Sequence, residues 1–295
     1  MNASGVGLKG SWRKCVLKLG EERVLRTYAK VNLGLKVLAR RSDGFHELLT
    51  LMHEVDLCDV VKVSVVERED SLSISGISLA VTEENLLLRT IRMLRDRGYD
   101  VPSLKMELEK RIPIGGGLGG GSSNAVALLG LLGEEIGIEE RELSDLAAEL
   151  GSDTNFFIRG GTALCRGRGE IVENLVDQSW FFNLLLPKTS CSTPKVFSEF
   201  RPGEVQVNNE VAHEWEQGRG LGENDLLSPC CRAYPEMSLI FEESQKHGID
   251  LFLSGSGSTC FTFHQNSQSR DLAFEKLKSY WPNFGLVKAT SYHRT

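Results

Sequence analysis

Two apolar runs rich in β-branched residues, VLRTYAKVNLGLKVL at 24–38 and LCDVVKVSVV at 57–66, predict strands on either side of a turn-rich stretch, RRSDGFHE. Asn85 is placed to cap a helix over LLLRTIRMLRDRG, where apolar positions 86, 87, 91 and 94 share one face and Gly98 marks the end. Alternation of Leu104, Met106 and Leu108 predicts a strand over 104–110. Pro113 then breaks the chain before GGGLGGGSS, and NAVALLGLLGEEIG after it has the length and apolar density of a buried helix. A further helix is expected at 139–150, and the segment from Gly151 to Glu170 reads as a turn leading toward a strand. The second half opens with the apolar strand WFFNLLLP and passes through a Gly- and Asn-containing stretch, 202–224, expected on the surface. It closes with DLFLSGSGSTCFTFH, two strand-like runs around a second small-residue loop, and a helix near 270–280. We place a domain change near 165–180, giving domains 1–175 and 176–295, since 295 residues exceed one typical core.

Composition narrows the functional classes. A net charge of −6 and a pI near 5.7 argue against a general nucleic-acid binder, which needs a cation excess to displace counterions from phosphates. There is no apolar run long enough to span a bilayer, and the first twenty residues scatter Gly, Lys, Arg and Trp where a secretory signal has a continuous apolar core. A cytoplasmic protein is expected, without membrane or nucleic-acid partners. The seven cysteines form no CxxC pair, so reduced, mostly structural thiols are expected, and His46 and His53 lack a carboxylate-rich set that would make them metal ligands.

The most informative stretch is Pro113-Ile114-Gly115-Gly116-Gly117-Leu118-Gly119-Gly120-Gly121-Ser122-Ser123-Asn124. Glycines let the backbone approach an anion and turn its amides inward, and the helix that follows adds free N–H groups and the positive end of its dipole. Ser122 and Ser123 can cap the helix, donate to phosphate oxygens or help hold Mg²⁺; the residues leave these roles open. A plain flexible linker is the bland alternative, but it would not sit between an alternating strand and an apolar helix. Gly115, Gly117 and Gly120 formally satisfy GxGxxG, yet Glu134 and Glu135 close a helix instead of a second strand, which weakens a dinucleotide site. No Lys follows the glycines as a P-loop requires.

PIGGGLGGGSSNA resembles the second motif of the superfamily of galactokinase, homoserine kinase, mevalonate kinase and phosphomevalonate kinase. The version here is that of the family acting on a cytidine-diphosphate-linked methylerythritol. AKVNLGLKVLARRSDGFHEL (29–48) is similar to that family's first motif and substrate loop, and LFLSGSGSTCFTF (251–263) to its third; together the resemblance covers roughly residues 27–290. It implies an α+β fold of two domains, the first like ribosomal protein S5 domain 2 and the second ferredoxin-like. It also implies an ATP-dependent small-molecule kinase using Mg²⁺.

The resemblance assigns phosphate binding to Pro113, Gly115, Gly116, Gly117, Leu118, Gly119, Gly120, Gly121, Ser122 and Ser123, and catalysis to Lys30 and Asp153. An ammonium beside the acceptor hydroxyl would stabilise growing negative charge, and the aspartate would accept the proton or orient the hydroxyl. Asn32 would support the acceptor end. Asp43, Phe45 and His46 resemble a DGYH loop that holds cytosine, with Phe45 in place of tyrosine, and Phe197 would be a second aromatic wall. Gly255, Ser256 and Gly257 would meet the substrate. Around Asp153 the family commonly reads GADVP, where this chain has GSDTN; Asn224-Asp225-Leu226 matches a family segment without a catalytic role. The alternatives are a sibling kinase of another alcohol, such as homoserine or mevalonate, a nucleotide-binding sensor without turnover, and, more distantly, a dinucleotide-dependent oxidoreductase. The residues leave metal ligands and oligomeric state open.

Overall fold

The computed structural model describes residues 18–77, 81–176, 178–201 and 210–294. The first seventeen residues, the expected surface positions 202–209 and Cys15 lie outside these. Six strands of the first half, β1 (Glu22–Arg40), β2 (His46–Val65), β3 (Ser71–Ser75), β4 (Leu104–Glu109), β5 (Thr162–Gly167) and β6 (Ile171–Asn174), form one sheet. Its order is β3-β4-β2-β5-β6, with β1 paired to β2, and every pairing is antiparallel except β3 with β4. Four helices accompany it: α1 (Leu86–Asp96), α2 (Gly120–Ile136), α3 (Glu140–Leu150) and the short α4 (Phe156–Arg159). Asn85 caps α1 as expected, its side chain accepting from the Leu87 N–H.

The second half carries β7 (Phe181–Leu186), α5 (Thr193–Ser198), α6 (Val211–Glu216), α7 (Leu227–Ala233), α8 (Pro235–Lys246), β8 (Phe252–Leu253), β9 (Cys260–His264), α9 (Ser267–Tyr280) and β10 (Gly285–Thr290). Its strands form a second, antiparallel sheet in the order β10-β7-β9-β8. The expected α+β class in two domains holds, each half carrying its own sheet. The strands of one sheet end at Asn174 and those of the other start at Phe181.

β2 starts eleven residues earlier than the sequence suggested. Its first half pairs with both β1 and β5, and its two faces are covered by different cores, Met52 packing on the helix side and Leu49 and Leu51 on the side of the second sheet, so Thr50, His53 and Glu54 are buried among them. A strand buried on both sides loses the apolar alternation by which strands are recognised. Three register shifts along β1 and β2 bend the pair, at Tyr28/Ala29, Asn32/Gly34 and Val37/Ala39.

One face of the first sheet packs on α1–α4 through Met52, Val63, Met106, Ile91, Leu129 and Phe156. The opposite face meets the second sheet through Ala29, Val31, Leu51, Leu164, Phe182 and Phe261. A third core lies within the second half, around Leu185, Cys191, Cys230, Met237 and Leu253. The six cysteines among the described residues are free thiols, with the Cys191 and Cys230 sulfurs 3.8 Å apart.

The stretch 210–224, expected on the surface, instead contributes α6 to the core shared by the sheets. Trp215 is 2% exposed there, and its indole N–H donates to the Gly220 carbonyl. Its ring lies so close to β1 that a Cβ on Gly34 would fall 2.4 Å from Trp215 Cζ2. We therefore expect Gly34→Ala to lower stability by about 1–3 kcal/mol through overpacking. Denaturant unfolding followed by tryptophan fluorescence measures it, and adding Trp215→Leu should recover part of the loss; an unchanged midpoint for Gly34→Ala would contradict this packing.

Candidate active site

Strand alternation delivers the first two site residues. Ala29, Val31 and Leu33 point into the core between the sheets, so Lys30 and Asn32 leave β1 on its other face. Lys30 is 2% exposed, and its ammonium is met by acceptors: it donates to Asn32 Oδ1 at 2.5 Å and lies 3.1 Å from Asp153 Oδ2. The Asn32 amide is oriented in turn, since its Nδ2 donates to Thr50 Oγ1 at 2.8 Å and that hydroxyl donates to the Gly34 carbonyl. An ammonium removed from water is tolerated only with such partners.

Asp153 is more open, with 32% of its side chain exposed, and stands on the turn between α3 and α4. That turn lacks the family's proline and is fastened by hydrogen bonds instead. The buried Thr154 hydroxyl reaches the Ala147 and Gly151 carbonyls at 2.5 and 2.6 Å, and Asn155 Nδ2 donates to the Glu170 carbonyl. Beneath the pair lies Cys165, whose thiol is pushed up to about 12 by burial and by the nearby Asp153 charge. It stays neutral, so it adds no anion to compete for Lys30.

The glycine loop is held from below and from the second half. Lys30 N–H donates to the Leu118 carbonyl, Thr259 N–H to the Gly116 carbonyl, and Ser254 Oγ to the Gly117 carbonyl. Gly117 and Gly119 have φ of 73° and 69°, in the left-handed region that disfavours side chains. A Cβ on Gly117 would sit 2.1 Å from the Ser254 carbonyl oxygen, and one on Gly119 2.7 Å from Phe157 Cζ. Gly119 is the N-cap of α2, and no side chain caps the helix, so the serines do not serve in that role. Ser122 lines the cavity, beside the Asp153 turn. Ser123 is buried in the second turn of α2, away from it.

Behind the loop is a second buried ion pair. Lys110 contacts the Asp59 carboxylate and Asn124 Oδ1, while Asp59 accepts from Arg111 N–H, Ile112 N–H and Asn124 Nδ2. Asp59 thus fixes the chain just before Pro113.

The small-residue loop of the second half is both a turn and a wall of the site. Gly255 and Ser256 line the cavity, and Ser256 Oγ lies 2.7 Å from Thr193 Oγ1. Gly257, expected to meet substrate, packs instead against Leu253, Cys230 and Cys191. Asn224 holds the loop by donating to the Leu253 and Gly255 carbonyls, and Asp225 accepts from Val37 N–H on β1, which agrees with a structural role for that segment.

One cavity of about 1000 Å³ joins these parts, lined by Pro113, Gly115–Ser122, Asn32 and Asp153 and also by Phe45, His46 and Phe197. Asp43 does not line it. Its carboxylate accepts from Phe45 N–H and pairs with Arg41, shaping the loop that presents Phe45. Desolvation opposes that charge, but these partners outweigh it and hold the Asp43 carboxyl below its usual range. His46 stacks on Phe197 with ring centroids 5.0 Å apart, and burial followed by the Arg40 charge lowers its imidazole pKa. The ring is therefore neutral near pH 7.

Sequence reasoning missed several cavity residues: Arg168, Thr193, Thr50, Lys110, and Asn85 beyond its capping role. Arg168 stands over the half-exposed Phe45 ring, its Cζ 5.0 Å from the centroid. The turn that carries it packs on the Asp153 turn, since a Cβ on Gly169 would lie 2.7 Å from the Ser152 carbonyl oxygen. The repeated basic residues in RGRGE were its visible signal.

Comparison with known proteins agrees with this geometry. Residues 85–161 match the family described as GHMP kinases N terminal domain, and residues 216–283 match GHMP kinases C terminal. The chain is 36% identical over 250 residues to 4-diphosphocytidyl-2-C-methyl-D-erythritol kinase of Thermotoga maritima, covering 81% of this chain and 91% of that one. It is 32% identical over 279 residues to the enzyme of the same name from Syntrophomonas wolfei, covering 90% and 98%. A crystal structure of 4-(cytidine 5'-diphospho)-2C-methyl-D-erythritol kinase superposes with a TM-score of 0.75 at 31% identity, covering 93% of this chain and 100% of that one. Mevalonate kinase from L. major, at 16% identity and a TM-score of 0.66, shares the fold. With such relatives spanning most of its length, the chain belongs to the 4-diphosphocytidyl-2-C-methyl-D-erythritol kinase family of GHMP kinases.

Proposed function

We propose that the chain transfers the γ-phosphoryl group of ATP to the 2-hydroxyl of 4-diphosphocytidyl-2-C-methyl-D-erythritol, in non-mevalonate isoprenoid synthesis in the cytoplasm. Residues 1–175 would supply the phosphate loop and 176–295 the second domain. The observation that carries the reading is the Lys30–Asp153 pair, 3.1 Å apart, in which Lys30 lies buried behind Asp153 and Asp153 lines the same cavity as the glycine loop, Phe45, His46 and Phe197. A nucleotide sensor would have no use for a buried cation shared with a carboxylate at the acceptor side.

The loop fits ATP phosphates: its left-handed glycines pack too closely for side chains, which leaves backbone N–H groups and the start of α2 as the anion-facing surface. Among the described residues no group of three or more His, Cys, Asp or Glu side chains suits a metal. Mg²⁺ would be carried on the nucleotide phosphates, offsetting their charge, and Ser122 and Asp153, which both line the cavity, are the side chains that would supply oxygen to it. Asp153 accepts the proton of the 2-hydroxyl as its oxygen bonds to the γ-phosphorus. Lys30, steadied by Asn32, stands where negative charge grows on that oxygen, and ADP leaves with the electrons of the broken bond. Phe45 and Phe197 give cytosine its flat contacts. Arg168, between Phe45 and the Asp153 turn, is the cation for the substrate's diphosphate.

ATP with a panel of alcohols, followed by phosphorus detection of the product, tests the reading; preference for homoserine or mevalonate would replace it with a sibling activity. Asp153→Asn and Lys30→Met should each lower turnover by about two orders of magnitude or more, with ATP affinity held. Near-normal turnover of either folded variant would remove that residue from the chemistry. Gly119→Val should weaken ATP binding in calorimetry while the cytidyl substrate still binds, because the new side chain meets Phe157 and distorts the loop.

Phe45→Ala should raise the Michaelis constant of the cytidyl substrate, as a base–aromatic stack is worth about 1–3 kcal/mol, and leave that of ATP nearly constant. Phe45→Tyr should change little. Because the His46 pKa is lowered, this Michaelis constant should stay flat as pH falls through the ordinary imidazole value near 6.5 and rise only below it. A rise beginning above pH 6.5 would show that His46 is charged in the binding range.

A further inference from the structure

Beside the catalytic pair lies a buried charge that the mechanism above does not use. Glu54 is 0% exposed and is the cross-strand partner of Lys30 in the β1–β2 register, so both side chains leave the sheet on the same face. A carboxylate in that place attracts the Lys30 ammonium away from Asp153 unless another cation satisfies it.

Arg294 does so. Its guanidinium forms two bonds to the Glu54 carboxylate, Nη2 to Oε1 at 2.6 Å and Nε to Oε2 at 3.0 Å. The remaining donor, Nη1, reaches the Phe157 and Ile158 carbonyls of α4 at 2.9 and 3.3 Å. Glu54 Oε2 also accepts from Gly161 N–H, directly after α4. The segment carrying Arg294 is itself anchored, by Tyr292 N–H donating to the Glu54 carbonyl, by the stacked Tyr28 and Tyr292 rings, and by a bond between Ser291 Oγ and His53 Nε2.

What this fastening reaches is the chemistry. Phe157 N–H donates to the Thr154 carbonyl, next to Asp153, and the Phe157 ring underlies Gly119 of the phosphate loop. The Lys30 stem is at the same place, since a Cβ on Gly119 would lie 3.2 Å from Lys30 Cγ. α4 therefore has the Asp153 turn at its start, the loop and Lys30 on its ring, and Arg294 with Glu54 at its end.

We propose that Arg294 is a positioning residue for phosphoryl transfer: by neutralising Glu54 it leaves the Lys30 ammonium to Asp153, and by binding the α4 carbonyls it fixes the Asp153 turn against the glycine loop. Arg294 acts through Glu54 and α4 and does not touch substrate. This inference rests on the kinase reading.

The test compares Arg294→Gln, Glu54→Gln and the double variant, measuring kcat, both Michaelis constants and amide hydrogen exchange. Arg294→Gln should lower kcat about tenfold or more with both Michaelis constants within about twofold, since misplacement of catalytic groups falls on the chemical step. Adding Glu54→Gln removes the uncompensated buried charge and should restore most of kcat; it also keeps the comparison available if the single variant folds poorly. Amides of 152–161 should exchange faster in Arg294→Gln, while those of β7 keep their protection. Unchanged kcat, a loss that Glu54→Gln does not relieve, or a fall in protection spread evenly over both sheets would overturn the proposal. Should the wild-type enzyme fail to phosphorylate the cytidyl substrate, the kinase reading fails. The exchange data then still decide whether Arg294 fixes the turn.

Discussion

A lysine ammonium kept almost wholly out of water needs acceptors on every side it presents, and that requirement organises the first half of this protein. Lys30 meets Asn32 from its own strand and Asp153 from a turn more than a hundred residues later, while its backbone N–H holds the Leu118 carbonyl of the glycine loop. One residue therefore brings the sheet, the Asp153 turn and the glycine loop to a common point. Asn32 is held by Thr50 and Thr154 by the end of α3, so the acceptors have supports of their own. Pre-set donors and acceptors of this kind need no rearrangement when charge moves during reaction.

The second constraint is steric. Glycines at 117 and 119 do more than permit a turn: the chain elsewhere comes so near that no side chain fits, and those near approaches come from the Ser254 carbonyl and the Phe157 ring. The loop is thereby clamped between the two halves, and Asp59 fixes its entry from behind through Arg111 and Ile112 N–H groups. A glycine-rich stretch that would be floppy as a peptide becomes a shaped surface because its surroundings leave it few conformations.

How much of this was legible in the chain depends on how local the cause is. A run of glycines before an apolar helix is a local pattern that suggests an anion site, so the loop declared itself, whereas Lys30 and Asn32 were singled out only by the family resemblance. The pairing of Lys30 with Asp153 is a tertiary event that only a family resemblance could suggest. β2 was cut short because Thr50, His53 and Glu54 look like surface residues until a second covering layer is known. Trp215 was assigned to a surface stretch for a similar reason, since the residues around it are polar while its own partner, Gly34, is far away in sequence. α8 is a different case: buried Met237, Ile240, Phe241 and Ser244 follow helical spacing after Pro235, and the pattern was there to be read. Arg168 was passed over because its role depends on Phe45 lying opposite, across a sheet edge no periodicity reports.

The clamp on the glycine loop has a consequence for biosynthesis. Its contacts join residues far apart in the chain, Gly117 to Ser254 and Gly116 to Thr259 among them. A ribosome at work delivers the loop and its helix long before those partners emerge, and the first sheet with its helices can form meanwhile around its own core. Until β8 and β9 have been translated and the loop between them has docked, the glycine loop lacks the contacts of Ser254 and Thr259. Completion of the glycine loop's surroundings is thus a late event in the synthesis of the chain.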